Sequence, residues 1–170
     1  MKNINLTIDS IDLIALDFDG VLTNNLVHLD KNGLEWVTCN RADGLAFDML
    51  KILKKPVLIV STEKNSVVSA RAKKLNIPVY QGVNNKVEAL KKIIKTEGYK
   101  ASRIIFVGND LNDYHAMKFC GFSACPSDSH HDIKNIADLV LNSKGGDGVL
   151  RELLEDVMSL DFLNIMNDYY

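Results

Sequence analysis

Three apolar runs limit what this chain can fold into: "IDLIALDFDG" (11–20), "VLIVS" (57–61) and "RIIFVG" (103–108). Each holds four apolar residues in succession, without the alternation of a strand that has one wet face, so each reads as a strand buried on both sides. Such strands need helices above and below them. "RADGLAFDMLKILKK" (41–55), "EKNSVVSARAKKLN" (63–76) and "NKVEALKKIIKTEG" (85–98) supply these, the last closed by Gly98. "IPVYQG" (77–82) adds a short strand and "NDYHAMKFCG" (112–121) a short helix; "FSACP" and "ADLVL" read as two more strands. In "DGVLRELLEDVMSL" (147–160), Val149, Leu150, Leu153, Leu154 and Val157 fall on one face of a final helix. The expected fold class is α/β, a Rossmann-like parallel sheet flanked by helices. One stretch breaks the alternation. "LVHLDKNGLEWVTCN" (26–40) sets two short alternating runs about "DKNG", a hairpin signal. With no repeat, low-complexity tract or linker, the 170 residues read as a single domain, 1–170, carrying a β-hairpin flap at about 24–40.

Charge and hydropathy remove several function classes. Twenty basic against twenty-two acidic side chains leave a net charge of −2 with no basic stripe, which argues against nucleic acid as a partner. No apolar run approaches the roughly 18–20 residues that span a bilayer, and "MKNINLTIDS" lacks the apolar core of a signal peptide, so a cytoplasmic protein with no membrane partner is expected. Cys39, Cys120 and Cys125 have neither CxxC nor zinc-finger spacing and read as reduced packing thiols.

In parallel sheets, ligands bind outside the carboxyl ends of the strands. The first apolar run ends at Asp17 and Asp19, the second at Ser61 and Thr62, and the third at Asn109, Asp110 and Asp113; Lys86 opens the helix before the third. In an extended chain, residues i and i+2 lie on one side, roughly 6.6 Å apart, so Asp17 and Asp19 can flank one ligand. Two carboxylates beside another acidic loop raise each other's pKa unless a cation intervenes, and a hard ion such as Mg²⁺ with oxygen ligands resolves that conflict. The hydroxyl of Ser61 and the ammonium of Lys86 suit the oxygens of a phosphoryl group. One carboxylate can then attack phosphorus while the other protonates the leaving oxygen and later activates water. Taken singly, these residues have ordinary explanations. Ser61 reads as a helix cap, Lys86 as a solvated helix lysine, and the acids as turn formers; it is their joint order that points to a site.

"DFDGVLT" (17–23), "VST" (60–62), Lys86 and "GNDLND" (108–113), in this order, resemble the four motifs of the haloacid dehalogenase superfamily of aspartyl phosphatases. The resemblance implies Asp17 as the nucleophile, Asp19 as general acid and base, Ser61 as phosphate holder and Lys86 as the group that neutralises the intermediate. It places Mg²⁺ among Asp17, Asp19 and the fourth motif, where either Asn109 or Asp110 is the ligand and Asp113 supports from behind. The family usually has Asp, not Asn, directly after the glycine. Only 41 residues lie between Asp19 and Ser61, and 24 between Ser61 and Lys86, which leaves no room for a cap domain. That spacing resembles the capless, tetrameric branch typified by 3-deoxy-D-manno-octulosonate 8-phosphate phosphatases, in which the flap builds a homotetramer and covers a neighbouring subunit's site. "NRADG" (40–44), "ARAKKL" (70–75), "VYQG" (79–82) and "KGGDGVLRE" (144–152) are similar to further signatures of that branch.

Within the branch, Ser61-Thr62-Glu63 departs from the Thr-Gly-Arg typical of the octulosonate enzymes and is more similar to relatives acting on nine-carbon, sialic-acid-type 9-phosphates. That likeness implies that Thr62 and Glu63 contact substrate, with Arg71 and Lys74, i and i+3 on one helix, pairing the sugar-acid carboxylate. The expected function is a Mg²⁺-dependent phosphomonoesterase acting through an aspartyl-phosphate on a phosphorylated 3-deoxy-2-keto sugar acid, of eight or nine carbons. A catalytically weak oligomerisation domain, like those fused to CMP-sialate synthetases, stays open as an alternative. A receiver-type signalling domain fits less well, because receivers have no acidic motif after the lysine.

Overall fold

The computed structural model describes residues 6–169. Six parallel strands make the sheet: β1 (Leu13–Leu16), β4 (Val57–Val60), β5 (Val79–Tyr80), β6 (Ile104–Val107), β7 (Phe122–Cys125) and β8 (Leu139–Val140), in the order β5-β4-β1-β6-β7-β8. Leu16 stands opposite Ile59 on one side and Val107 on the other. Two further strands, β2 (His28–Leu29) and β3 (Glu35–Trp36), pair antiparallel apart from that sheet. The three long strands are buried throughout, as their unbroken apolar runs require. Successive residues face opposite layers. Ile14 and Leu16 pack with α1 (Arg41–Ile52) and α2 (Ser66–Leu75), while Leu13 and Ala15 pack with α3 (Lys86–Glu97), α4 (Tyr114–Phe119) and α5 (His131–Ile136).

Local signals start and stop these helices. The side chains of Asn40, Asn65 and Asn85 accept N–H groups from the first turns of α1, α2 and α3, and Asn76 and Gly98 end α2 and α3 in the left-handed conformation. Helix α2 therefore starts at Ser66 rather than at Glu63. The expected helix over 147–160 is shorter and uneven: α6 (Val149–Glu152) runs on into a wider, π-type turn over Leu153–Val157. Its start is set from far along the chain, because the Asp43 carboxylate of α1 accepts the N–H groups of Leu150 and Arg151 at 2.9 and 3.2 Å. A last helix, α7 (Phe162–Tyr169), buries Phe162 beneath the Arg151 guanidinium, 4.7 Å from the ring centroid. It had no counterpart in the sequence reading.

The chain runs outward from β1 to β4 and β5, then returns through α3 to β6 on the other side of β1. The crevice at that reversal lies over the carboxyl ends of β1, β4 and β6. Between β1 and β4 the described residues hold only the hairpin and α1, so no cap domain sits there. The hairpin is narrow. His28 stacks on Trp36 at 5.5 Å, the Asp30 carboxylate accepts the N–H groups of Asn32 and Leu34, and an isolated bridge between Thr23 and Cys39 closes its base. Burial pushes the Cys120 and Cys125 thiols up to about 12 and 11, in keeping with packing roles.

Candidate active site

The rim begins where β1 stops. Asp17 N–H still donates to Val107 O at 2.9 Å, but from Phe18 onward the chain turns, with the N–H groups of Leu22 and Thr23 returning to Phe18 O. Asp17 and Asp19 thus reach one cavity through a tight turn anchored by the fully buried Phe18 ring, and not through the extended spacing expected of them. Gly20 makes the turn possible. Its φ is +74°, and a Cβ there would lie 1.9 Å from Asn109 Nδ2, so the two loops close on each other only with glycine at this position.

The cavity measures about 390 Å³ and is lined by Asp17, Asp19, Ser61, Glu63, Asn109 and Asp110, with Thr62 and Asn112 on its wall. Beneath it lies one buried ammonium. Lys86 Nζ sits 2.8 Å from Asp17 Oδ1 and 2.6 Å from Asp113 Oδ1 and is 3 % exposed. Asp113 is fully buried, and its second oxygen accepts the N–H groups of Asn109 at 2.9 Å and Asp110 at 3.3 Å. Both of its oxygens are therefore committed to holding Lys86 and the loop, the supporting position expected for it. Gly108 permits this, since a Cβ there would fall 2.6 Å from Asp113 Cγ.

The electrostatics separate the two acids of the first loop. Burial, reinforced by the Asp113 charge, pushes Asp17 up to about 8 against the pull of Lys86. Burial lowers the affinity of Lys86 for its proton, but Asp17 and Asp113 outweigh it and hold the ammonium above its usual value. Asp19 is only half-buried, and burial, then Glu63 and Glu35, raise it. Glu35 belongs to β3, so the charge of the flap is felt at Asp19.

Ser61 is not a helix cap: Asn65 caps α2, and Ser61 Oγ accepts Glu63 N–H at 3.1 Å, leaving its own proton free to donate. Glu63 precedes α2, with one carboxylate oxygen spent on the N–H groups of Lys64 and Asn65. Arg71 and Lys74 do share a face of α2, but they line a separate hollow with Arg41 and Asp48, and the Arg71 guanidinium donates to Asn40 O at 2.9 Å. Arg71 is drawn there by the start of α1, whose cap residue Asn40 offers the carbonyl it binds. Asn25, Leu111 and Asn112 also line the cavity, unforeseen from the sequence. Asn25 left a faint trace, an asparagine just after the first motif in the left-handed conformation that this residue tolerates, at φ 62°.

Between the first loop and the end of β6 the groups that could hold a cation are oxygens alone, the carboxylates of Asp17, Asp19 and Asp110 and the amide of Asn109. That set fits a hard divalent cation and does not suit a thiophilic one. Asp17 Oδ1 is spent on Lys86 and Phe18 N–H, and Oδ2 is uncommitted.

Residues 51–153 match the family described as haloacid dehalogenase-like hydrolase. Among curated proteins, the chain is 31 % identical over 148 residues to the 3-deoxy-D-manno-octulosonate 8-phosphate phosphatase of Salmonella typhi, covering 86 % of this chain and 79 % of that one. Among solved structures, a HAD family hydrolase from Streptomyces avermitilis is 39 % identical with a TM-score of 0.87, covering 92 % of this chain and 97 % of that one. The 3-deoxy-D-manno-octulosonate 8-phosphate phosphatase of Moraxella catarrhalis, in complex with magnesium ion, phosphate ion and KDO, is 26 % identical with a TM-score of 0.90, covering 100 % and 99 % of the two chains.

Proposed function

The chain belongs to the haloacid dehalogenase-like hydrolases and is a phosphatase, and from that premise we propose that it hydrolyses a phosphorylated 3-deoxy-2-keto sugar acid through an aspartyl-phosphate on Asp17. The observation that carries this is the single buried ammonium of Lys86, which joins Asp17 to Asp113 under a cavity also lined by Asp19, Ser61 and Asn109. Asp17 Oδ2 attacks phosphorus in line, forming one P–O bond as the ester P–O bond breaks. Asp19, whose carboxyl is held above its ordinary value by burial and by Glu63, gives its proton to the departing sugar oxygen. The same carboxylate then takes a proton from the water that attacks phosphorus and frees Asp17. Ser61 Oγ and Lys86 donate to the phosphoryl oxygens. Asp17, Asp19 and either Asn109 or Asp110 would hold Mg²⁺, which when bound offsets their charge and polarises the phosphoryl group.

Glu63 stands where it can accept hydrogen bonds from sugar hydroxyls. Arg71 and Lys74 line a hollow apart from this cavity, and on this reading they meet the sugar carboxylate at a neighbouring subunit's site, in a homotetramer whose flap covers that site. Leu26, Val27, Leu29, Leu34 and Trp36 of that flap are all exposed, an apolar surface that a second subunit would bury. The three unpaired cysteines suit a reducing, cytoplasmic setting.

Phosphate release from octulosonate 8-phosphate and from nonulosonate 9-phosphates, with Mg²⁺ and with a chelator, tests the proposal. One of the two classes should be hydrolysed, and the chelator should stop it. Asp17→Asn should lower turnover by at least about 10³-fold with unchanged circular dichroism. An active Asp17→Asn protein, or a wild type inert towards both classes, would overturn it.

A further inference from the structure

A second hollow opens beside the catalytic cavity and shares part of its wall. Thr62 and Asn112 line both, and Asn112 Nδ2 donates to Thr62 Oγ1 at 3.3 Å along the ridge between them. Past that ridge the hollow, of about 420 Å³, runs between the starts of α3 and α4, by Asn84, Asn85, Glu88 and His115.

Its amide side chains are neutral and hydrogen-bond in both senses. Asn85 spends Oδ1 on capping α3, at 3.0 Å from Val87 N and 3.2 Å from Glu88 N, which leaves its Nδ2 as a donor. Asn112 spends Nδ2 on Thr62, which leaves its Oδ1 as an acceptor. The His115 ring stands edge-on to Tyr114, with centroids 5.3 Å apart. Lys86 contributes wall, but two of its ammonium protons go to Asp17 and Asp113 and the proposed chemistry gives the third to the phosphoryl group. The other charged group of the lining is a carboxylate, Glu88, paired with Lys91 at 2.8 Å. An anion placed here would meet no available cation, whereas a hydroxyl can accept from Asn85 Nδ2 and give its proton to Asn112 Oδ1. The hollow at Arg41, Arg71 and Lys74 has the opposite character and shares no lining residue with the catalytic cavity.

We infer that the hollow between α3 and α4 is the subsite for the uncharged, hydroxyl-bearing carbon arm that adjoins the phosphate ester, and that the anionic end of the substrate points away from it. Asn84 and His115 are specificity-determining residues of this subsite, remote from the reacting atoms. The inference rests on the phosphatase reading of the preceding subsection. Its test is steady-state kinetics of the wild type and of an Asn84→Ala/His115→Ala double variant, on the hydrolysed sugar-acid phosphate and on p-nitrophenyl phosphate, which has no hydroxylated arm. Both residues are exposed, so the variant should fold. Selectivity for the sugar phosphate over p-nitrophenyl phosphate should fall about tenfold, carried by KM with kcat nearly retained. Selectivity that stays unchanged, or a loss carried by kcat on both esters alike, overturns the inference. A wild type that hydrolyses no sugar-acid phosphate overturns the underlying reading instead, and this inference with it.

Discussion

At the rim, Asp17, Lys86 and Asp113 are each at most 3 % exposed, and each is held by an ion pair or a backbone N–H. In the flap, Leu29 and Leu34 are 67 % and 66 % exposed, and two strands of two residues each carry no core of their own. The rim is complete within one protomer, because the sheet and α3 fix its groups before any ligand arrives. The flap is a surface without a counterpart. Its apolar side chains stay wet, and its order rests on the Asp30 turn, the His28–Trp36 stack and the Thr23–Cys39 bridge. The two regions differ in kind: the groups of the rim are held by their own protomer, and the apolar side chains of the flap are left uncovered by it.

Substitutions in each region should therefore fail in different ways. The largest effect is expected for Asp113→Ala, which strips Lys86 of one partner, leaves the Asn109 N–H unpaired in the interior and takes the acceptor from the more exposed Asp110 N–H. A loss of about 3–5 kcal/mol, or roughly 10 °C in thermal midpoint, should follow, read by calorimetry. Stability within about 1 kcal/mol of wild type would mean that the rim is less self-contained than its geometry implies. A Leu29→Ser/Trp36→Ser variant should behave the other way. Its protomer should keep its far-ultraviolet circular dichroism while the mass by light scattering falls from the assembly to the monomer. A wild type that is already monomeric would break the comparison on the flap side. The smallest effect concerns Asp43, behind the rim, which burial pushes up to about 6 although it accepts two N–H groups of α6. Its folded value lies above the unfolded one near 3.8, so the native state binds more protons between pH 4 and 6 and this residue weakens the fold as pH rises through that window. Asp43→Asn keeps an acceptor and removes the charge. The stability of wild type relative to this variant should therefore rise by about 2–3 kcal/mol from pH 7 to pH 4, measured by urea unfolding at each pH.

Much of this was legible in the sequence for a definite reason. The three apolar runs and their polar ends are local signals, and the interior amplifies them: "LIAL", "VLIV" and "IIFV" became β1, β4 and β6, and the residues after them gather at one cavity. What escaped depends on contacts between distant segments. The start of α6 is fixed by a carboxylate in α1, and the destination of Arg71 by the way α1 lies against α2. The turn at Phe18–Leu22 escaped because an Asp-Phe-Asp spacing satisfies both an extended and a turned chain. Helix α7 was legible but unread. Phe162, Ile165, Met166 and Tyr169 have helical spacing, and the Asp161 carboxylate accepts Asn164 N–H at 3.0 Å as its cap.

The grip of Asp113 on the backbone of Asn109 and Asp110 has a consequence for supply. A loop pinned by its own protein does not need an ion to find its shape. On the proposed metal reading, amide exchange at residues 109 and 110 should be as slow without Mg²⁺ as with it; fast exchange in the metal-free chain would contradict this. The uncharged amide of Asn109 also gives an arriving cation a lighter hold than a carboxylate would. On that reading the protein can be made and stored without its ion and loaded afterwards, because the loop that would receive the ion is already in shape.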